Sequence, residues 1–318
     1  MRLTIGESEQ VFDPRGLRPR ASRGRREDAV DLRRSVLVAR VVPLDDPTDP
    51  RLTTYNALTD AQRRAAIDAE HGVFVVEGPL ALQRLASSPY PVRSGLCHPG
   101  KLDVTMAALA DHDVPVFVAG RDVLAAVTGF DVHRGVLALA GRLAPTAPAD
   151  LVAGARTIVV LEGLNDQENL GAIARSARAL GIDGLLLDAT CGDPLYRRCV
   201  RVSMGEVLHL PFARVDDWPS GLWPLLADAG FECIALTPAA DAEPITAVQR
   251  AAGDRVAIVL GAEGPGLSNE LLAGPLKLLP KSYPPAPHGS ATKRVLYFCS
   301  TGSSTMSWST VFLGSSHT

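Results

Sequence analysis

The chain has 318 residues, of which 46% are hydrophobic, enough apolar material for a sizeable core divided over two domains. Charged residues make up 21% and the formal net charge is −3, which excludes a wholly disordered chain and a globally basic nucleic-acid binder. Aromatics at 5% argue against a chain built on stacking platforms for single-stranded nucleic acid.

Residues 1–50 are unlike the rest. Nine arginines lie between Arg15 and Arg40, interrupted by Pro, Gly and Asp, with little apolar periodicity before Val36. This reads as a disordered arm or a start codon placed too early; the functional alternative is a basic arm that touches RNA phosphates. Asp45 to Leu52 is a Pro/Asp linker, a helix stop rather than an element. A first α/β domain is expected over 51–143. Its helices are predicted at Thr59–Ala69, with Thr59 or Asp60 as N-cap, at Pro79–Ala86, near Leu102–Asp111 and at Asp122–Thr128. Its strands are predicted at Val73–Gly78, Val92–Cys97, Val114–Ala119 and Gly135–Gly141. Ala144 to Asp150 is the Pro/Ala-rich boundary. A second α/β run is expected over 151–280. Its strands are predicted at Thr157–Leu164, Gly184–Asp188, Leu210–Val215, Phe231–Leu236 and Val256–Gly261, and its helices at Asn169–Leu180, Tyr196–Met204 and Leu222–Ala229. Continuous apolar strands suit a parallel sheet covered on both faces.

The five cysteines form no CxxC pair and an odd count suits no disulfide framework, so reduced thiols and no zinc site are expected. The start MRLTIGESEQ lacks the apolar run of a signal peptide, and no stretch is apolar for the ~20 residues that span a bilayer. A cytoplasmic protein without membrane or metal partners is expected.

Two stretches carry chemistry. Asn165 to Gly181 reads NDQENLGAIARSARALG, a strand running through a polar loop into a helix, where open α/β sheets bind ligands. Asn169 and Gly171 are placed at the helix start, where free N–H groups and the dipole favour an anion. Arg175 and Arg178 follow at helical spacing, suited to a phosphate or a hydroxyl. The same spacing also fits a capped helix with solvated arginines. The second stretch, from Leu260 to Ser268, is a glycine-rich loop after a buried strand, with Ser268 as N-cap. Gly261, Gly264 and Gly266 let the backbone approach a ligand. The spacing is neither that of a dinucleotide fingerprint nor that of a P-loop. Glu263 is the one ionisable side chain in it.

Together and in this order, the two stretches resemble the RNA ribose 2′-O-methyltransferases of the SpoU/TrmH family, of the SPOUT class. The family's form N-D-x-x-N-x-G-A-I-x-R-[ST]-A-x-x-x-G is met from Asn165 to Gly181, and G-x-E-G-x-G-[LI]-S from Gly261 to Ser268. The resemblance covers roughly residues 52–280. It implies a ribosomal-protein-like α/β substrate domain, on which Val76–Gly78 and His133–Leu139 match similar stretches. It further implies a trefoil-knotted α/β methyltransferase domain, although chains are almost never knotted and the alternating pattern alone suggests an unknotted Rossmann-like sheet. The resemblance places catalytic roles on Asn169, Arg175 and Glu263. It places S-adenosylmethionine against Leu260, Gly261, Gly264 and Gly266, with Leu279 and Pro280 as the remnant of an I-P pair. The implied partners are tRNA or rRNA and a second copy of the chain. Candidate RNA contacts are Arg178, Arg197, Arg198 and Arg201, whose alternative is a solvated helix face.

The family's third motif, a loop and an apolar helix with S-L-N, should follow the second. From Leu278 the chain instead reads LLPKSYPPAPHGSATKRVLYFCSTGSSTMSWSTVFLGSSHT, and Pro284, Pro285 and Pro287 forbid a helix. The chain has 28 arginines and 4 lysines, a mark of GC-rich coding, yet Lys277, Lys281 and Lys293 fall in its last part. Residues 281–318 therefore read as a tail from a shifted frame, or as a divergent one. Val295–Cys299 and Val311–Leu313 are strand-like segments within it. Three functions follow: an RNA 2′-O-methyltransferase, an RNA-binding protein that has lost methyl transfer with its third motif, and a small-molecule enzyme on a Rossmann-like sheet.

Overall fold

Short apolar runs alternating with amphipathic segments build two sheets, as the pattern requires. The structure, a computed structural model, describes residues 39–237, 254–280, 294–300 and 306–312, with backbone alone at Thr237 and from Leu279 onward.

The first sheet contains β1 (Arg40–Leu44), β2 (Val73–Glu77), β3 (Val92–Cys97), β4 (Pro115–Ala119) and β5 (Val136–Gly141) in the order β1-β4-β3-β5-β2. β1, β4 and β3 are parallel, and β5 runs antiparallel to β3 and β2. Its helices are α1 (Ala61–His71), α2 (Pro79–Ala86), α3 (Leu102–Ala108) and α4 (Arg121–Thr128). Asp60 caps α1 by accepting from Arg63 N at 3.0 Å, and Gly72 ends it at φ 59°.

Two expectations about the start of this domain are corrected. Arg40–Leu44 falls within the expected arm, yet it is the edge strand of the sheet. Only Leu44 of its five residues is buried, so it lacks the apolar run that betrays a central strand. A 3₁₀ helix, Pro50–Tyr55, begins within the expected linker and runs past its end, with Asp49 as N-cap. Leu52 and Tyr55, three residues apart, fall on one face of that helix and are buried.

The second sheet contains β6 (Thr157–Glu162), β7 (Gly184–Leu187), β8 (Phe212–Arg214), β9 (Phe231–Thr237), β10 (Arg255–Gly261) and β11 (Leu276–Pro280) in the order β11-β9-β10-β6-β7-β8. Every neighbouring pair is parallel. Its helices are α5 (Pro148–Gly154), α6 (Gln167–Ala179), α7 (Arg197–Val202), α8 (Leu222–Asp228) and α9 (Asn269–Leu272). α5 begins inside the expected linker, and β11 was not foreseen. α5, α8 and α9 cover one face of the sheet, while α6 and α7 cover the other, which explains the continuous apolar strands. The two strand-like segments of the tail, β12 (Arg294–Ser300) and β13 (Met306–Phe312), pair antiparallel with each other. Residues 281–293, where the third motif and the closure of a knot would fall, lie outside the described residues, as do residues 1–38 of the expected arm.

One hydrophobic cluster crosses the domain boundary. Phe74, Val76, Leu82 and Leu85 of the first domain pack in the same core as Leu161, Leu170, Cys199 and Val207 of the second. Polar ties flank it: Arg84 pairs with Glu206 at 2.7 Å, and His209 Nε2 meets Arg84 O at 2.9 Å.

Candidate functional site

The polar loop after β6 turns into α6 two residues earlier than the motif alone suggests. Asp166 is the N-cap: its Oδ1 accepts from Glu168 N at 2.8 Å and from Asn169 N at 3.0 Å. Asn169 is thus the third helical residue, with its side chain free to leave the helix start. Gly171 is not at the helix start, which corrects the anion-cradle expectation. It is buried one turn in, and a Cβ there would stand 2.7 Å from Cys199 O and 3.0 Å from Val202 Cβ. The glycine lets α6 lie directly on α7. Arg175 and Arg178 are exposed on α6, and among the described residues neither forms an ion pair.

The glycine-rich loop follows β10, the neighbour of β6. Gly261 lies across the ladder from Glu162. The chain then closes a tight turn in which Gly266 N donates to Ala262 O at 3.1 Å. Gly264 (φ 96°) and Gly266 (φ 76°) adopt the left-handed region. Gly261 is required for a different reason: a Cβ would fall 2.2 Å from Gly266 O. Glu263 is exposed on this loop, and Asn169 Nδ2 donates to its Oε2 at 3.3 Å. Two side chains 94 positions apart therefore meet where parallel strands end, the usual ligand position in an open α/β sheet. Leu260 is half-buried at the end of β10. Leu279 and Pro280 end β11, which β9 separates from β10, and their side chains lie outside the described residues.

A buried carboxylate anchors the loop. Glu162, at the end of β6, accepts from Ser268 N at 2.7 Å, Ser268 Oγ at 2.8 Å and Trp218 Nε1 at 2.8 Å. Ser268 in turn caps α9, its Oγ accepting from Leu271 N at 3.1 Å. Sequence reasoning missed Glu162. The available signal was a carboxylate ending the apolar run TIVVLE, which implies a buried charge needing partners.

The arginines of α7 divide. Arg197, expected to contact RNA, is instead 10% exposed and ion-paired with buried Glu77 of β2. Its Nη2 donates to Leu58 O at 3.1 Å, and its guanidinium lies 4.7 Å from the Phe130 ring centroid. The helix faces the first domain here, so this arginine points into the junction. Arg201 is half-buried, 3.9 Å from the other Glu77 oxygen, and Arg198 is exposed. Among the described residues no group of three His, Cys, Asp or Glu side chains is placed to hold a metal ion, and no helix is long and apolar enough to cross a membrane.

Residues 156–277 match the family model described as SpoU rRNA Methylase family. A protein of Mycobacterium tuberculosis described as an uncharacterized tRNA/rRNA methyltransferase is 43% identical over 227 residues, covering 70% of this chain and 77% of that one. The chain belongs to the SpoU/TrmH family. Within that family the matched region opens one residue before β6 and closes inside β11, so it coincides with the parallel sheet. The likeness in fold extends over both domains. An AdoMet-bound rRNA methyltransferase from Sinorhizobium meliloti superposes with a TM-score of 0.63 at 23% identity, covering 79% of this chain and 92% of that one. The SpoU methyltransferase AviRb from Streptomyces viridochromogenes, in complex with AdoMet, gives 0.61 at 20% identity, covering 76% and 91%.

Proposed function

We propose that this SpoU/TrmH member is an S-adenosylmethionine-dependent RNA ribose 2′-O-methyltransferase acting on tRNA or rRNA. The observation that carries the reading is the meeting of Asn169 and Glu263 at the ends of adjacent parallel strands. The glycine-rich loop fits the cofactor: it exposes main chain at Gly264 and leaves no room for a side chain at Gly261. When bound there, S-adenosylmethionine supplies a methyl group on a sulfonium sulfur. Leu260, Gly261, Gly264 and Gly266 would hold it with main-chain groups, and Leu279 and Pro280 extend the assignment.

The reaction forms a bond from the ribose 2′-oxygen to the methyl carbon, breaks the sulfur–carbon bond and releases the hydroxyl proton. The protein's work is to align the hydroxyl and help remove its proton. Glu263 is the carboxylate in reach of Asn169, and Asn169 holds it in place through Nδ2. Arg175, exposed on the same helix, serves to orient the hydroxyl and its adjoining phosphate. Arg178, Arg198 and Arg201 supply further phosphate contacts. The family reading carries with it a homodimer, a cytoplasmic enzyme and a trefoil knot.

The decisive experiment has two steps. Labelled S-adenosylmethionine is bound to the full chain, and methyl transfer to total tRNA and rRNA is then followed by alkaline hydrolysis. A methylated 2′-oxygen cannot attack its phosphate, so the label is expected in alkali-resistant dinucleotides; label in mononucleotides overturns 2′-O specificity. A second reading, an RNA-binding protein without methyl transfer, is favoured by the departure from the family pattern after Leu278. Absence of cofactor binding would select it.

A further inference from the structure

The domain junction contains more charge than adhesion requires. Apolar packing across it is continuous, yet the carboxylate of Glu77 is buried at the end of β2. A buried carboxylate is costly unless paired, and among the described residues its ion pairs all cross the junction, to Arg197 with Arg201 behind it. A second, more exposed pair also crosses the junction. Arg142, just after β5, donates from Nε to Val73 O at 2.9 Å and from Nη2 to Asp193 Oδ2 at 2.5 Å.

Both pairs lead to the same place. Arg197 opens α7, and α7 is locked to α6 because Gly171 leaves no gap at Cys199 O. Asp193 lies beside Gln167, the first residue of α6. With its amide turned to satisfy both groups, Gln167 donates to Asp193 O at 3.0 Å and accepts from Asp193 N at 3.3 Å. The same first turn of α6 carries Asn169. A greasy contact alone permits sliding, whereas two charge pairs with fixed partners have one register.

We propose that the Glu77–Arg197 and Arg142–Asp193 pairs are a positioning device that sets the first domain in one orientation against the first turn of α6, so that an RNA held by that domain presents its ribose to Asn169 and Glu263. The RNA part rests on the reading of the preceding subsection; the linkage itself does not. In this arrangement Glu77, Arg197, Arg142 and Asp193 are positioning residues that act through α6 and α7.

The test uses the full chain with Asp193→Asn, whose side chain is partly exposed, and Arg197→Lys, which keeps the charge toward Glu77 but not the second bond to Leu58 O. Misplacement of about 1 Å can cost ~10²-fold in rate, so kcat on rRNA or tRNA is expected to fall at least about tenfold. The dissociation constants for S-adenosylmethionine and RNA are expected to stay within about twofold, a split that general loss of structure does not produce. In parallel, hydrogen exchange is expected to rise in residues 167–175 and to stay unchanged in β3 and β4. Unchanged exchange in α6 in both variants refutes the linkage. Increased exchange in α6 with unchanged kcat refutes the positioning role. If the wild-type chain transfers no methyl group, the methyltransferase reading fails, and the exchange measurement alone still decides the linkage.

Discussion

Replacing Glu162 by Gln removes one acceptor oxygen from a site that serves three donors, Ser268 N, Ser268 Oγ and Trp218 Nε1. An amide has a single acceptor, and its NH₂ group must face one of those donors. At least one bond to a charged acceptor is lost, and the others become neutral. Bonds to charged groups contribute about 1.5–3 kcal/mol and a buried orphan donor costs about 1–3 kcal/mol, so a loss of about 3 kcal/mol is expected. At roughly 2–4 °C per kcal/mol for a domain of this size, the melting temperature should fall by about 6–12 °C. The glycine-rich loop is the part released, because Ser268 ties it to β6. S-adenosylmethionine affinity should therefore fall along with stability. Differential scanning calorimetry and titration calorimetry on the same preparation check both. A variant melting within about 1 °C of wild type, with cofactor affinity unchanged, would refute the anchoring role of Glu162.

Gly261→Ala places a Cβ against Gly266 O, and such overpacking typically costs about 1–3 kcal/mol. Displacement of the loop should weaken cofactor binding about tenfold, which is ~1.4 kcal/mol, as read by titration calorimetry. Asp166→Ala removes the cap that holds Glu168 N and Asn169 N, worth about 0.5–2 kcal/mol. It should lower the urea midpoint without changing the slope. Cys97, Cys191, Cys199 and Cys233 are buried. Burial raises all four thiols, with Cys233 reaching about 11 and Cys191 about 12. In the unfolded chain these thiols ionise near pH ~8.5, so the folded state holds more protons above that pH. The stability this provides is complete below it and is lost as pH rises toward the folded values. Urea midpoints should fall steadily from about pH 8.5 to about pH 10.5; a flat profile would contradict the raised thiols.

Much of the fold was legible. VFVVE, VLALAG and TIVVLE are strands because short runs of β-branched and aliphatic residues between Gly and Pro breakers satisfy themselves only inside a sheet. Pro79 fixed the start of α2 through its ring. Elements with weak local signals were missed: β1, an edge strand with one buried residue, and β11, which needs only β9 as a neighbour. At the site, both motifs were legible because residue spacing is a local property, and the family resemblance they carry singled out Asn169 and Glu263; the contact between those two side chains was not legible.

What only the tertiary structure decided concerns partners distant in sequence. Arg197 and Arg198 are adjacent and chemically identical, yet one is turned inward against Glu77 and the other faces solvent. Gly171 follows a helix start in sequence but serves helix–helix contact in space. Glu162 ends a strand and finds Ser268 106 positions later. The sequence by itself determined the strands and helices with strong apolar patterning and which residue types gather in each loop, since those follow from local sterics and hydrophobic period. The facing of each side chain depends on what packs across from it, and that is set by closure of a shared core between two domains.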